Sequence, residues 1–163
     1  MKTVTADMIS ELLARAAEAP RKRTNLNLHA DPSDPTNRFL NAGIAGTYVR
    51  PHRHRSDRWE LVSVLRGRLD LVIFAPDGEI TRRLMLDSDG TALVEIPGGA
   101  WHTLVFRAPG AAVLEVKPGP YDAALDKEFA AWAPAEGDPE AAPFLGWLER
   151  AALGEAWRTG RPP

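Results

Sequence analysis

The sequence predicts an all-β domain of sandwich or barrel type, with a helix before it and an irregular, partly helical extension after it. Between residues 38 and 118, short apolar runs alternate with turn residues at roughly the eight-to-twelve-residue spacing typical of sandwiches and barrels. No gap in this stretch is long enough for the helical crossovers that a parallel sheet needs. We therefore expect a single domain over residues 1–163, made of a helix and arm (1–37), a barrel core (38–118) and a C-terminal extension (119–163).

The clearest helix is predicted over residues 6–18. Its apolar side chains recur at the i, i+3, i+4 and i+7 spacing of one helical face: Ile9, Leu12, Leu13 and Ala16. Thr5 or Asp7 can cap the start, and Pro20 ends the helix. Because the apolar stripe is narrow, the helix is expected to lie on another element rather than inside a bundle.

Strands are predicted where apolar runs are bounded by turn residues. They cover residues 38–42, 46–52, 59–66, 69–75, 79–86, 91–96, 101–107 and 111–117, with a short edge strand at 25–29. The extension has two predicted helices, at residues 123–132 and 144–157. Three of the five tryptophans lie there, and we expect them to pack against the sheet or across the interface of a homodimer.

Composition argues against several classes of function. The chain has 44% hydrophobic and 26% charged residues and a formal charge of −2, so it lacks the basic excess of proteins that bind nucleic acids or anionic membranes. It has no cysteine, so a bound metal must take nitrogen and oxygen ligands. No apolar run approaches the roughly 18 residues of a membrane span, and the N-terminus lacks the apolar core of a signal peptide. The expected location is therefore cytoplasmic.

Three of the four histidines form a candidate metal site. His52 and His54 are two positions apart, so on a strand they would point to the same face. Glu60 lies on the next predicted strand, with Asp57 as the alternative ligand if the turn is arranged differently, and His102 follows a Pro-Gly-Gly turn. Three imidazoles and one carboxylate inside an apolar barrel suit a divalent transition metal such as Zn, Fe, Ni or Mn.

Two further residues are candidate catalytic groups. His29 follows alternating polar and apolar residues. It is either an edge residue bonded to a loop, or part of a segment (25–29) that closes over the barrel mouth, where it supplies a polar contact or a general base. Tyr48 has the same parity as His52, so its hydroxyl either reaches the pocket or belongs to an ordinary core tyrosine.

Four polar residues are candidate substrate-binding groups: Lys117, Glu115, Arg38 and Asn41. Glu115 and Lys117 alternate with apolar residues on one strand. If that strand lies beside the strand of His102, both side chains face the cavity, where Lys117 could hold a carboxylate or phosphate. The alternative is a solvated surface pair of little energetic value. Arg38 and Asn41 are expected to contribute at the mouth of the barrel.

The spacing around the first two histidines resembles a known sequence motif. Gly46-x5-His52-x-His54-x5-Glu60-x6-Gly67 is similar to the first motif of the cupin superfamily. Cupins usually have three or four residues, rather than five, between the second histidine and the glutamate.

A second stretch, from Gly90 through Pro97-x-Gly99-x2-His102, resembles the second cupin motif. The resemblance implies a double-stranded β-helix, or jelly-roll barrel. It also implies that the two histidines and the glutamate of the first motif bind a metal together with His102.

A narrower resemblance extends over most of the chain. It is to the WbuC-type cupin-fold metalloproteins of bacteria, some of which are associated with lipopolysaccharide O-antigen gene clusters. The stretches that carry it are TNLNLH (24–29), FLNAGIAGTYVRPHRH (39–54), EIPGGAWHTLV (95–105), LEVKPGPYD (114–122) and FAAWAPAEG (129–137). The resemblance implies a metal-binding protein with a small-molecule ligand.

The expected function is that of a metal-dependent enzyme acting on a sugar or sugar derivative, for instance an isomerase or epimerase in surface-polysaccharide synthesis. Its chemistry would be Lewis-acid activation with proton transfer. The alternatives are an Fe-dependent dioxygenase and a non-catalytic binding or sensing module, because cupins include all of these.

Overall fold

Two five-stranded antiparallel sheets form the body of the protein in the computed structural model, which describes residues 1–158. In chain order the strands are β1 (Arg23–Asn27), β2 (Thr36–Gly43), β3 (His52–Arg53), β4 (Glu60–Arg66), β5 (Arg68–Phe74), β6 (Ile80–Asp87), β7 (Leu93–Ile96), β8 (Trp101–Phe106), β9 (Ala111–Pro118) and β10 (Glu128–Phe129). One sheet has the order β1-β2-β9-β4-β7 and the other β10-β3-β8-β5-β6. The helices are α1 (Ala6–Glu18) and α2 (Ala141–Leu148). The all-β prediction, with an N-terminal helix and a C-terminal extension, is confirmed.

The inward-facing side chains of three strands change from polar to apolar along the strand. These rows are Glu60, Val62 and Val64 on β4; His102, Leu104 and Phe106 on β8; and Lys117, Glu115 and Val113 on β9. Because β9 runs antiparallel to β4, with Val62 opposite Glu115, the polar ends meet at one end of the space between the sheets. The apolar ends form the core, and the polar ends form a site.

Helix α1 covers the outer face of the first sheet. Thr5 is its N-cap, accepting a hydrogen bond from the backbone N–H of Met8 at 3.3 Å, and Ile9, Leu12 and Ala16 are buried. They pack against apolar residues of β2 and β9: Leu40, Ala42 and Ala112. The helix has the predicted bounds because the N-cap residue, the apolar face and the terminating Pro20 all lie within or next to the helix in the sequence.

Two arginines and one aspartate fasten the end of α2 to the second sheet. Asp70 on β5 is buried and accepts hydrogen bonds from Arg83 on β6, at 2.7 Å, and from Arg107 after β8. The same guanidinium groups donate to the backbone carbonyls of Leu148 and Glu149. One carboxylate therefore holds both arginines where they satisfy the open carbonyls at the helix C-terminus.

Asp70→Ala is expected to lower the free energy of unfolding by about 2–3 kcal/mol, because hydrogen bonds between charged groups are lost and two partly buried guanidinium groups lose their partner. Urea denaturation followed by circular dichroism measures this change. Asp57→Ala is the matched control, since that carboxylate pairs with Arg55 and its side chain is 60% exposed. Equal destabilisation by the two substitutions would contradict this role of Asp70.

Three predicted elements differ from the observed ones. Within the predicted strand 46–52, only His52 is in β3, because the chain turns at Gly46. The φ of Gly46 is +86°, a backbone conformation that glycine adopts far more easily than other residues. The predicted helix at 123–132 is wrong, since that segment is a surface turn followed by β10. The helix predicted at 144–157 is α2, which begins and ends earlier; the chain then turns and brings Trp157 back onto Phe144.

Neither α1 nor α2, the helices in the part of the chain that is described, is long and apolar enough to cross a lipid bilayer.

Candidate metal centre

The four predicted ligands, His52, His54, Glu60 and His102, lie together at the polar end of the space between the sheets. Each offers a ligand atom, and these atoms all lie within 4.8 Å of one another. His52 and His102 are direct neighbours on β3 and β8, while Glu60 begins β4 in the facing sheet. All four side chains are buried, and together they could hold a metal ion.

Backbone carbonyl groups fix the tautomer of each of the three imidazoles. The Nδ1 atoms of His52, His54 and His102 lie 2.9, 2.6 and 2.9 Å from the carbonyl oxygens of Arg50, Asp126 and Ala100, respectively. A carbonyl oxygen can only accept, so Nδ1 must carry the proton in each ring. The lone pair of every neutral ring is then on Nε2, which is the arrangement that a metal-binding histidine requires.

The atoms left over at the centre are hydrogen-bond acceptors. Nε2 of His102 and Nε2 of His54 lie 3.1 and 3.3 Å from the same oxygen, Oε2 of Glu60. Nε2 of His54 is buried and has no hydrogen-bond partner among residues 1–158. A proton on one ring would satisfy one contact, whereas a cation bound between the rings and the carboxylate would satisfy all of them. The residues present therefore fit a divalent metal ion.

The electrostatics of the cluster favour its ligand form. Burial, followed by the charge of His102, holds the pKa of His52 well below its ordinary value, so this ring stays neutral. Burial by itself would raise the pKa of Glu60, but the adjacent imidazoles of His102 and His54, whose Nε2 atoms face its carboxylate, outweigh burial, and the pKa lies well below its usual range. A neutral imidazole and an ionised carboxylate are the forms that bind metals.

A second carboxyl group, that of Glu115, lies beside the cluster. Burial and the negative charge of Glu60 raise the pKa of Glu115 to about 8, and Asn41 donates a hydrogen bond to its Oε1 at 3.0 Å. The site therefore holds one ionised carboxylate, Glu60, next to one carboxyl group that is largely protonated at neutral pH.

A cavity of about 530 Å³ opens from the cluster. Its lining includes His52, Glu60 and His102 of the cluster, polar residues of β1 and β2, and two residues of β9: Asn25, Asn27, Asn37, Asn41, Glu115 and Lys117. This volume lies within the range of small-molecule sites, roughly 300–1,000 Å³. The centre is thus the floor of a polar pocket.

The two candidate catalytic residues lie in different places. His29 lines the cavity; its Nδ1 is 3.1 Å from the backbone nitrogen of Arg38, and its ring contacts Phe39 edge-on. Tyr48 is not among the lining residues, since its hydroxyl donates to the carbonyl of Pro134 at 2.7 Å and its ring packs on Phe144. Of the two alternatives for Tyr48, the structure shows the core tyrosine; strand parity, which favoured the pocket, does not apply because the chain is not a strand there.

Three of the four predicted substrate-binding residues line the cavity, and the fourth does not. Asn41, Glu115 and Lys117 line the cavity, although the ammonium group of Lys117 is paired with Asp126 at 2.7 Å. Arg38 lies outside, paired with Asp34 at 2.6 Å, because it has the opposite parity to Asn41 on β2. This placement gives no support to a ligand contact for Arg38. The alternative metal ligand Asp57 is a surface residue paired with Arg55.

Two buried residues of the cavity wall, Asn37 and Asp126, are not among the residues that the sequence predicts for the site. Asn37 is 2% exposed, and neither atom of its amide has a hydrogen-bond partner among residues 1–158. It has the same parity on β2 as Asn41, and this signal would have found it. Asp126 is 5% exposed and contacts both Lys117 and His54, but it lies in the segment that was predicted as a helix, and no sequence signal marks it.

The sequence profile of one protein family, described as Domain of unknown function (DUF6016), matches residues 4–86, which is about half of the chain. The chain belongs to this family. The DUF6016 match includes His52, His54 and Glu60 and stops within β6, so His102 lies beyond it. A search of curated proteins found no significant match.

Solved structures resemble this DUF6016 protein at low sequence identity. The capsular polysaccharide assembling protein CapF from Staphylococcus aureus superposes with a TM-score of 0.52 at 19% identity, over 65% of this chain and 31% of CapF. The DMSP lyase DddQ from Ruegeria pomeroyi gives 0.51 at 17% identity, over 66% of this chain and 51% of DddQ. TT1209 from Thermus thermophilus gives 0.54 at 19% identity, over 72% of this chain and 97% of TT1209.

These similarities show the fold. The predicted cupin-type fold is confirmed, whereas membership of the cupin superfamily and the WbuC-type likeness stay predictions. The chain spans about a third of CapF and half of DddQ, so the activities of those proteins are not transferred with the fold.

Proposed function

We propose that this protein is a metal-dependent enzyme that acts on a small polar metabolite, a sugar or sugar derivative, by Lewis-acid and proton-transfer chemistry. The observation that carries the proposal is the buried cluster of three imidazoles and one carboxylate on the floor of a polar cavity. A purely structural metal would not need a cavity of about 530 Å³ leading to it.

His52, His54, Glu60 and His102 would hold the metal, and Zn, Fe, Ni and Mn all accept this donor set. When bound, such a metal supplies a Lewis acid that polarises a carbonyl or hydroxyl oxygen of the ligand. The protein fixes the ligand geometry through the three carbonyl groups that hold the imidazole N–H groups.

The cavity wall suits a ligand with many hydroxyl groups. Asparagine amides both donate and accept hydrogen bonds, as a hydroxyl group also does, and four asparagines line the wall: Asn25, Asn27, Asn37 and Asn41. We propose that Asn41, Glu115 and Lys117 contact the substrate. The first two are joined by a hydrogen bond of 3.0 Å, so Asn41 also orients Glu115.

His29 is the residue that we propose moves a proton. An imidazole can accept and donate protons, and this one lines the cavity without belonging to the metal cluster. Its Nδ1 lies against the backbone of Arg38, which orients the ring and leaves Nε2 for the ligand.

Surface-polysaccharide synthesis is the context that we propose. One fold neighbour, CapF, is described as a capsular polysaccharide assembling protein, and this supports a sugar ligand. The support is at the level of a shared fold, so the reaction must be tested on this chain directly.

Solvent-deuterium exchange tests the proposal. Metal-loaded protein is incubated in D₂O with keto-sugars and nucleotide-sugars, and NMR follows deuterium uptake at carbon next to the carbonyl group. We expect uptake with at least one sugar, and loss of uptake in His29→Gln with binding of that sugar retained. Sugars that bind to metal-loaded protein without any exchange would contradict the enzyme and favour a non-catalytic binding module.

A further inference from the structure

A surface segment beside the cavity contacts the metal centre at one buried residue, Asp126. We call residues 120–129 the strap; it contributes Tyr121, Asp126, Lys127 and Phe129 to the cavity wall. Nine of its ten residues are exposed, and Asp126 is the one that is buried, at 5% exposure. A charged side chain is almost never buried unless it is paired, so the partners of Asp126 are informative.

Asp126 joins a buried lysine to one of the predicted metal ligands. Its Oδ1 accepts a hydrogen bond from Nζ of Lys117 at 2.7 Å, and both side chains are less than a tenth exposed. Its backbone oxygen accepts a hydrogen bond from Nδ1 of His54 at 2.6 Å. The ion pair therefore anchors the point of the strap that sets the tautomer of His54.

The three histidines differ in where their carbonyl partners come from. His52 and His102 bond to carbonyls two residues earlier in their own segments. The carbonyl of Asp126 is 72 residues away from His54 along the chain. His52 and His102 are thus oriented by their own local backbone, whereas His54 is oriented only while the strap is in place.

We propose that Asp126 and Lys117 are positioning residues of the metal centre: their ion pair holds the strap so that its carbonyl directs Nε2 of His54 toward Glu60. This inference rests on the proposed metal function. It adds that a segment outside both cupin-like motifs sets metal affinity. By linkage, bound metal also stabilises the docked strap.

The direction of the change in metal affinity distinguishes a positioning role of Lys117 from a purely electrostatic one. Lys117 carries a positive charge in the wall of a cation site, so its removal would strengthen metal binding if electrostatics alone acted. A positioning role predicts weaker metal binding instead, because His54 loses the carbonyl group that orients it when the strap is no longer docked. Loss of a residue that orients a metal ligand typically weakens metal binding about 10- to 100-fold.

Zn²⁺ titration of Lys117→Met, Asp126→Asn and the wild type tests the inference. We expect about 10- to 100-fold weaker binding in Lys117→Met, a smaller loss in Asp126→Asn and near-complete rescue in Lys117→Arg. Lys127→Met is the matched control: that ammonium group lies 3.6 Å from Asp126, and its side chain is 36% exposed. It should bind Zn²⁺ as well as the wild type or better.

The imidazole tautomers give a readout without metal. Long-range ¹H–¹⁵N NMR of metal-free protein should show Nδ1–H for all three histidines in the wild type. In Lys117→Met we expect a mixture of tautomers at His54 alone. Hydrogen exchange of the strap amides should slow on Zn²⁺ addition in the wild type and not in this variant.

The outcomes are distinguishable. Folded Lys117→Met and Asp126→Asn proteins with wild-type Zn²⁺ affinity and a wild-type His54 tautomer would overturn the inference, as would an equal change at all three histidines. A wild-type protein that binds no Zn²⁺ would instead overturn the proposed metal centre, and the tautomer of His54 in the metal-free variants would still decide whether the ion pair positions it.

Discussion

His102→Ala is expected to weaken Zn²⁺ binding more than about 100-fold, because losing a ligand costs more than losing a residue that only orients one. His102 is 2% exposed, and its Nε2 lies 3.1 Å from Glu60 Oε2, so the substitution removes one of the four ligand atoms at the centre. Titration with a competing chelator measures the affinity. Circular dichroism monitors the fold.

His29→Ala is the control for His102→Ala, since it removes the one histidine outside the cluster. It should leave Zn²⁺ affinity unchanged. If His102→Ala retains wild-type affinity, or if His29→Ala loses as much, the ligand set is wrong.

Phe144→Ala is expected to lower the free energy of unfolding by about 3–5 kcal/mol, the range for a large-to-small change at a fully buried aromatic residue. Phe144 on α2 is fully buried and contacts three other aromatic rings, those of Tyr48, Trp147 and Trp157. The cluster joins α2 to Val72 and Val105 on the second sheet. The C-terminal extension should therefore unfold with the barrel in a single transition.

Urea denaturation followed by both tryptophan fluorescence and circular dichroism measures the effect of Phe144→Ala. Leu153→Ala is the control, because Leu153 is 64% exposed in the same extension. Wild-type stability in Phe144→Ala, or separate transitions by the two probes in the wild type, would contradict a shared core.

The elements predicted well are those whose signals are local. Helix α1 carries its cap, its apolar stripe and its terminating proline within twenty residues. The strands from β4 to β9 are separated by tight turns, so each apolar run can be read by itself. Predicted and observed strand ends differ there by at most two residues.

The metal cluster was predicted despite an unusual spacing. Five residues separate His54 from Glu60, and they form a surface turn in which the N–H of Arg58 donates to the carbonyl of Arg55 at 2.9 Å. Gly98 packs against this turn, so closely that an added Cβ would lie 2.5 Å from the carbonyl oxygen of Arg55. The extra length is absorbed outside the barrel, and Glu60 keeps its place at the start of β4.

The surroundings of Tyr48 and Asp126 depend on contacts that are distant in sequence. For Tyr48, strand parity left the pocket open as one alternative, but the segment turns instead, and the ring packs on a helix about 100 residues later. Asp126 lies in a segment whose composition favours a helix, but its pairing with Lys117 and His54 fixes a different conformation. Tertiary contacts of this kind override local propensity.

Metal analysis of the protein, purified without a histidine tag and loaded with Zn²⁺, Mn²⁺, Fe²⁺ or Ni²⁺ before gel filtration, tests whether His52, His54, Glu60 and His102 form a metal centre. We expect about one ion per chain for at least one of these metals, and far less in His102→Ala. A wild-type stoichiometry far below one for all four metals, in folded protein, would contradict this metal centre.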